Sequence, residues 1–408
     1  MTKIEGFRIM NYKTLRNVMM GCLRDKKGTG KLTPMTVVIG KNGSGKSTLL
    51  DAFGFLSDCF KHGVEEACNR RNGFERIISQ GIQEPITFEI FYREKPDAQP
   101  ITYVLMIALD EQSRPYIKNE WLQHFEEGQD KTDEFFFLNL NNGQGAAWIG
   151  EHSESNNKFE HKSNFEKIDL ADNRRLGVAT LGALKQYTRI SAFKQFIEGW
   201  YLSYFTPDAA RNLPLTGPQK HLSIHGDNLG NFVQFMEREH PDRFKQILDD
   251  IASKIPGVDK ISTESMPDHR LLLKFNDRNF KDPFFAQQMS DGTLKVFAYL
   301  LMLSDPAPPP FICIEEPENG LYHQLLETLA SQFRAHATDE SNGSQIFITT
   351  HQPYFLNALE PNEVWILERS ITGFSTIRRA SENHIVQGLV SEGLPLGGLW
   401  YSDYLEED

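Results

Sequence analysis

The chain has 408 residues and a hydrophobic fraction of 39%, enough to fill the core of one large domain or two modest ones. Its 43 lysines and arginines against 55 aspartates and glutamates leave a formal charge of -12, which excludes a generally basic nucleic-acid coat and leaves room only for a local basic groove. Cys22, Cys59, Cys68 and Cys313 stand at no metal-ligand spacing and suggest no disulfide framework, so a reducing, cytoplasmic compartment is expected; no run of about 18 apolar residues marks a membrane span.

Polar and charged residues interrupt the opening MTKIEGFRIMNYKTL, unlike a signal peptide, and residues 4–9 read as a short strand. The β-branched run at 35–39 predicts a buried strand. A glycine-rich loop follows, and Leu49, Leu50, Phe53, Leu56 and Phe60 then recur at helical spacing over 48–60. Residues 86–92 and 101–109 read as an antiparallel pair of strands. Residues 126–172 are polar and poorly periodic and are expected to form irregular surface. Helices are expected over 176–205 and 228–255, and a strand at 271–275. A helix at 292–303, a strand at 311–315, a helix near 321–337 and strands at 345–349, 363–368 and 374–378 complete the outline. The pattern is a split α/β fold: 1–115 and 270–408 form the two parts of one domain, flanking a mainly helical insertion at 116–269 that includes the irregular polar segment.

Residues 40–47, Gly-Lys-Asn-Gly-Ser-Gly-Lys-Ser, match the phosphate-loop pattern GxxxxGK[ST] between a strand and a helix. Glycines let the backbone curl until its N–H groups face a phosphate, and the helix adds the positive end of its dipole. Asn42, Gly43, Ser44, Gly45, Lys46, Ser47 and Thr48 are the nucleotide-binding candidates: Lys46 supplies charge to the β- and γ-phosphates, and Ser47 offers a hydroxyl to Mg2+. This predicts an ATP-binding protein of the P-loop class.

Hydrolysis also needs a carboxylate that orients the metal and a group that places water. The run Phe311-Ile-Cys-Ile ends in Glu315 and Glu316. Glu315 is the candidate for the Mg2+ side and Glu316 for polarising the attacking water, with a plain acidic strand end as the competing explanation. The strand at 345–349 runs into Thr350 and His351, and His351 is placed to donate to the γ-phosphate or its product.

The order of these elements resembles the ATP-binding-cassette class of ATPases, and within it the chromosome-maintenance and RecF-like branch, in the short bacterial group labelled AAA15 or OLD-like. Arg8-Ile-Met-Asn11-Tyr12-Lys13-Thr14-Leu15 resembles the family's opening strand and turn, and residues 40–47 its Walker A loop. Met289-Ser290-Asp291-Gly292-Thr293 is similar to the signature segment, and Glu315-Glu316 to the Walker B ending, with Glu315 in place of the more usual aspartate. Pro317-Glu318-Asn319-Gly320-Leu321 resembles the D-loop region, His351 falls at the switch histidine, and His225-Gly226-Asp227-Asn228-Leu229 resembles a recurring segment of the insertion. Gln80 is the Q-loop candidate and a third metal-side residue.

The resemblance implies a head-to-tail homodimer or higher assembly in which Ser290 and the backbone at Gly292 reach the γ-phosphate of the other subunit's ATP. A plain helix cap also explains Ser290, and both readings hold together. The stretch after His351 is short and carries no second set of acids at strand ends, so no nuclease domain is expected in it. The leading reading is a regulatory ATPase of bacterial defence or DNA maintenance with a nuclease or toxin partner. The alternatives are a direct DNA-binding repair ATPase and an ATP-bound assembly scaffold with little turnover. Arg70, Arg71, Arg174, Arg175, Arg378 and Arg379 offer possible phosphate contacts but read more simply as solvated charge.

Overall fold

A computed structural model describes residues 2–23, 30–126, 133–150, 164–217, 219–254 and 257–405. It divides into two compact units, Met1–Trp200 with Pro361–Gly388, and Tyr201–Glu360 with Leu389–Asp408.

The first unit opens with β1 (Lys3–Tyr12), β2 (Leu15–Gly21) and β3 (Met35–Ile39), followed by α1 (Lys46–His62), α2 (Val64–Asn69) and α3 (Phe74–Ile77). Strands β4 (Ile86–Arg93), β5 (Ile101–Leu109), β6 (Pro115–Glu126), β7 (Asp133–Asn141), β8 (Gln144–Trp148) and β9 (Phe165–Asp169) come next, then α4 (Gly177–Leu181) and α5 (Thr188–Glu198). Among the described residues, eight of these strands form one sheet in the order β2-β1-β4-β5-β6-β7-β8-β9, antiparallel throughout.

Side-chain alternation gives this sheet one apolar face, and the helices cover it. Phe7 of β1 meets Phe53 of α1 edge-on at 4.9 Å, and Phe88 of β4 stacks on Phe55 at 5.8 Å. Phe193 of α5 lies 4.8 Å from Tyr92 and 4.6 Å from Tyr103. Phe137, Trp200 and Tyr201 are buried, as aromatic core residues rather than base-stacking platforms.

The irregular surface expected over 126–172 is corrected where it is described, because β7, β8 and β9 extend the sheet there; residues 127–132 and 151–163 lie outside the described residues. Strand β7 carries the apolar run Phe135-Phe136-Phe137-Leu138, set within polar flanks, whereas β8 and β9 at the edge give little apolar signal. Ile168 is the one buried residue of the five in β9, and polar neighbours flank it.

The second unit contains β10 (Tyr201–Ser203), α6 (Pro207–Ala210), α7 (Leu229–Glu239), α8 (Pro241–Lys254), β11 (Val258–Ser265), β12 (Leu271–Asp277) and β13 (Phe284–Phe285). After these come α9 (Asp291–Leu303), β14 (Phe311–Glu315), α10 (Gln324–Thr338), β15 (Gln345–Thr350) and α11 (Pro353–Leu356). The helical stretch expected over 228–255 breaks at His240, because Pro241 has no N–H to continue α7 and instead opens α8. Strands β10, β14 and β15 are parallel, with Cys313 opposite both Leu202 and Phe347, and Tyr299 of α9 packs on Phe333 of α10 at 5.7 Å. A separate antiparallel set joins β11, β12 and β13.

The chain then returns to the first unit with β16 (Val364–Arg369) and β17 (Ser375–Arg379); α12 (His384–Ser391) and α13 (Leu396–Tyr401) follow. Strand β16 runs parallel to β3, with Trp365 opposite Val38, and antiparallel to β17. Among the described residues no helix is long and apolar enough to cross a membrane.

Candidate functional site

In the first unit all five residues of β3 are buried, which anchors the segment that follows. Gly43 (φ 83°) and Gly45 (φ 112°) take left-handed conformations that let the backbone turn back on itself. A Cβ on Gly40 would collide with the Leu367 carbonyl, so the strand-to-loop junction admits no side chain. Gly45 caps α1 with no side-chain hydrogen bond, and no acid occupies the first turn. No side chain of the cap or of an acid therefore competes for the positive end of this 17-residue helix.

The Lys46 side chain is 6% exposed, and its Nζ donates to the carbonyls of Gly40 at 2.8 Å and Lys41 at 3.4 Å. A buried ammonium is held in this way within the loop, where dipoles compensate its lost hydration. Asn42, Gly43 and Ser47 are exposed, Thr48 is half-buried and Ser44 is buried. One turn into α1, Asp51 accepts Tyr12 Oη–H at 2.7 Å and Arg71 Nε–H at 2.7 Å, and pairs with Lys13 Nζ at 2.5 Å. Burial opposes its ionisation, but Lys13, Arg71 and Tyr12 outweigh that and hold its carboxyl below the usual range. The network ties α1 to the turn after β1.

Gln80 is exposed, in the turn that follows Ser79. The Ser79 N–H donates to the Asn11 carbonyl at 3.0 Å and the Lys13 N–H to Ile77 at 2.7 Å, so the segment leading into Gln80 is stitched to the β1–β2 turn.

In the second unit β14 buries Phe311, Ile312, Cys313 and Ile314, with Glu315 half-buried at its end opposite Thr349. Glu316 follows with φ 41°, uncommon for a residue with a side chain, and its N–H donates to Thr349 at 2.9 Å. Its carboxylate accepts Asn319 Nδ2–H at 3.0 Å and lies 3.2 Å from His351 Nδ1. The same ring nitrogen is 3.4 Å from Glu318 Oε1. Glu316, Glu318 and His351 therefore form one compact acid–imidazole group.

Glu318 belongs to the D-loop-like segment, but the sequence reading assigned it no role of its own. It is 3% exposed and accepts the Thr350 hydroxyl at 2.7 Å and the His351 backbone N–H at 3.1 Å. Burial pushes its carboxyl up, opposed by those donors. Lys295 of α9, also missed, donates to the Asn319 carbonyl at 2.6 Å, and burial pushes its ammonium down. The D-loop resemblance marks the segment of Glu318 but not its partners, and Lys295 carries no local motif signal; both positions are set by contacts between elements.

Ser290 is exposed and caps α9, its Oγ accepting the Thr293 N–H at 3.2 Å. A Cβ on Gly292 would stand 3.0 Å from the Gly320 carbonyl, so the start of α9 lies directly against the turn after Glu318. Arg211 fixes this corner through Asp291 at 2.5 Å and the Met289 carbonyl at 2.9 Å.

The arginines offered as possible phosphate contacts are largely engaged within the protein. Arg71 pairs with Asp51 and Asp58, Arg70 with Asp58 and Glu66, and Arg174 with Asp172 and Glu65. Arg379 donates to the Asn362 carbonyl at 2.6 Å and lies over the Trp365 ring.

In the first unit a strand, a glycine loop and a helix without a side-chain cap, with a buried lysine, are the features of a P-loop nucleotide-binding ATPase module of mixed α/β fold. The chain belongs to the family described as "AAA domain, putative AbiEii toxin, Type IV TA system", which matches residues 35–357. Among solved structures it is similar to an SMC head crystallised with the C-winged helix domain of ScpA. That likeness has a TM-score of 0.55 at 14% identity over 92% of this chain and 97% of the other, and shows the ATP-binding-cassette fold alone. The SMC head domain from Thermotoga maritima aligns at 11% identity over 92% of this chain and 98% of the other, with a TM-score of 0.46. No curated protein matches the chain.

Proposed function

We propose that this protein is an ATP-hydrolysing regulatory subunit of a bacterial anti-phage defence or DNA-maintenance system. In this reading, nucleotide-dependent dimerisation controls a nuclease or toxin partner. The carrying observation is the loop at 40–47, which buries Lys46 among its own carbonyls and runs into a helix with no side-chain cap. Membership of a family described by a toxin system supports the link to a partner.

Lys46, the backbone of Asn42, Gly43, Ser44 and Gly45, and the Thr48 hydroxyl bind the phosphates. Ser47, Glu315 and Gln80 form the metal side; their donors are all oxygen atoms, the hard ligands that Mg2+ prefers. Bound Mg2+ would neutralise charge on the phosphate oxygens. Glu316 holds the proton-accepting position for water, and His351 orients Glu316 and donates to developing negative charge. Ser290 and Gly292 serve the nucleotide of a second subunit. Direct DNA binding is the weaker reading, since several candidate arginines are committed to ion pairs.

The test compares wild type with Glu316→Gln. The variant should bind MgATP with affinity within about threefold of wild type and lose at least about 100-fold in phosphate release. Unchanged hydrolysis would remove Glu316 from the role. Proteins that co-purify with Glu316→Gln in ATP should include a nuclease or toxin; purification of a homogeneous, partner-free assembly would instead favour the scaffold reading.

A further inference from the structure

Ser375 opens β17, yet its side chain serves the phosphate loop. It is 4% exposed. Its hydroxyl donates to the Ser44 carbonyl at 2.7 Å, across 331 residues of sequence, and stands 3.1 Å from the Thr14 hydroxyl. Its own N–H donates to the Thr14 carbonyl at 2.9 Å. Three segments distant in sequence thus meet at one point: the β1–β2 turn, the phosphate loop and the start of β17.

The geometry of the peptide gives this contact a consequence. In a trans peptide the C=O and the following N–H point in opposite directions. Holding the Ser44 carbonyl toward Ser375 therefore turns the Gly45 N–H away from Ser375. Gly45 has φ 112° and caps α1, so its N–H belongs to the donor set at the helix start. The fit is tight: a Cβ on Gly45 would stand 2.5 Å from Ser375 Oγ and 3.0 Å from Thr14 Oγ1. Gly45 and Ser375 are thus matched in shape as well as in hydrogen bonding.

We propose that Ser375 is a positioning residue for phosphate binding: its hydroxyl fixes the Ser44–Gly45 peptide so that the Gly45 N–H is presented to the nucleotide. This rests on the ATP-binding reading of the loop. Without the hydroxyl the peptide is free to rotate, and part of the binding free energy is spent on ordering it.

The experiment is calorimetric titration of full-length wild type, Ser375→Ala and Ser375→Thr with MgADP, beside a thermal melt of each. Ser375→Ala should bind about 5- to 10-fold more weakly, the scale of one lost hydrogen bond, while Ser375→Thr stays within about threefold of wild type. Melting temperatures should not follow that order. If Ser375→Ala does not fold, Ser375→Cys, with similar size and a weaker donor, takes its place in the comparison. Equal affinity in wild type and the Ala or Cys variant would overturn the proposal, as would equal weakening of the Ala and Thr variants. Wild type that fails to bind MgADP would overturn the ATP-binding reading itself.

Discussion

The carboxylate of Glu318 accepts the backbone N–H of His351 at 3.1 Å, so the residue that precedes Asn319 holds the strand end carrying the histidine. The same oxygen accepts the Thr350 hydroxyl at 2.7 Å. The imidazole thereby faces two carboxylates, Glu316 and Glu318, from a fixed backbone position.

Removing that acceptor should be costly. Glu318→Ala leaves the Thr350 hydroxyl and the His351 N–H without their partner, at about 1–3 kcal/mol for each buried group. Glu318→Gln keeps an acceptor oxygen and removes the burden of a buried charge, so it should cost less than about 1 kcal/mol. Urea denaturation distinguishes them, and equal destabilisation of the two variants would contradict the bonding described.

Glu316 holds a left-handed backbone at φ 41° where asparagine is better tolerated. Glu316→Asn should therefore change stability by less than about 1 kcal/mol while reducing phosphate release by about 100-fold or more. Thermal melts and a phosphate assay on the same preparation test both halves. A variant that hydrolyses ATP normally would show that the carboxylate is not needed at that reach.

Glu120 in the first unit is fully buried against Tyr103, which donates at 2.9 Å, and the N–H groups of Gly177 and Val178 at 2.5 and 3.2 Å. Burial raises its pKa from 4.5 to about 7, with the three donors acting in the opposite direction. Between those values the folded state keeps a proton that the unfolded chain has released, so stability falls as pH rises. The loss should reach about 3 kcal/mol by pH 7, and Glu120→Gln should remove that slope. Denaturation at a series of pH values from 4.5 to 7 is the measurement; parallel curves for wild type and variant would refute it.

Ser290 is exposed and already caps α9. If it also meets the nucleotide of a second subunit, Ser290→Arg in a Glu316→Gln background should weaken ATP-dependent association at least about 10-fold, the effect of a bulky charge in a closed interface. Sedimentation with and without ATP reads this out. Association equal to that of Glu316→Gln alone would remove Ser290 from the interface.

The phosphate loop was legible because its information is local. A β-branched strand, glycines at the turning points, a lysine and an amphipathic helix succeed one another between Met35 and His62, and each leaves its mark within a few residues. Strand β14 was legible for the same reason, as four apolar residues ending in two acids. Strands β8 and β9 were not, because a strand near a sheet edge needs little burial, and Ile168 alone in β9 leaves no alternation to read. The pairing of Ser375 with Ser44 and of Glu318 with His351 was also invisible, since nothing in a serine after Phe374 or a glutamate after Pro317 names its partner. Local periodicity records which face of an element is buried; which two polar groups meet across separate strands and turns depends on sheet register and loop path, and these are settled only when the whole chain packs.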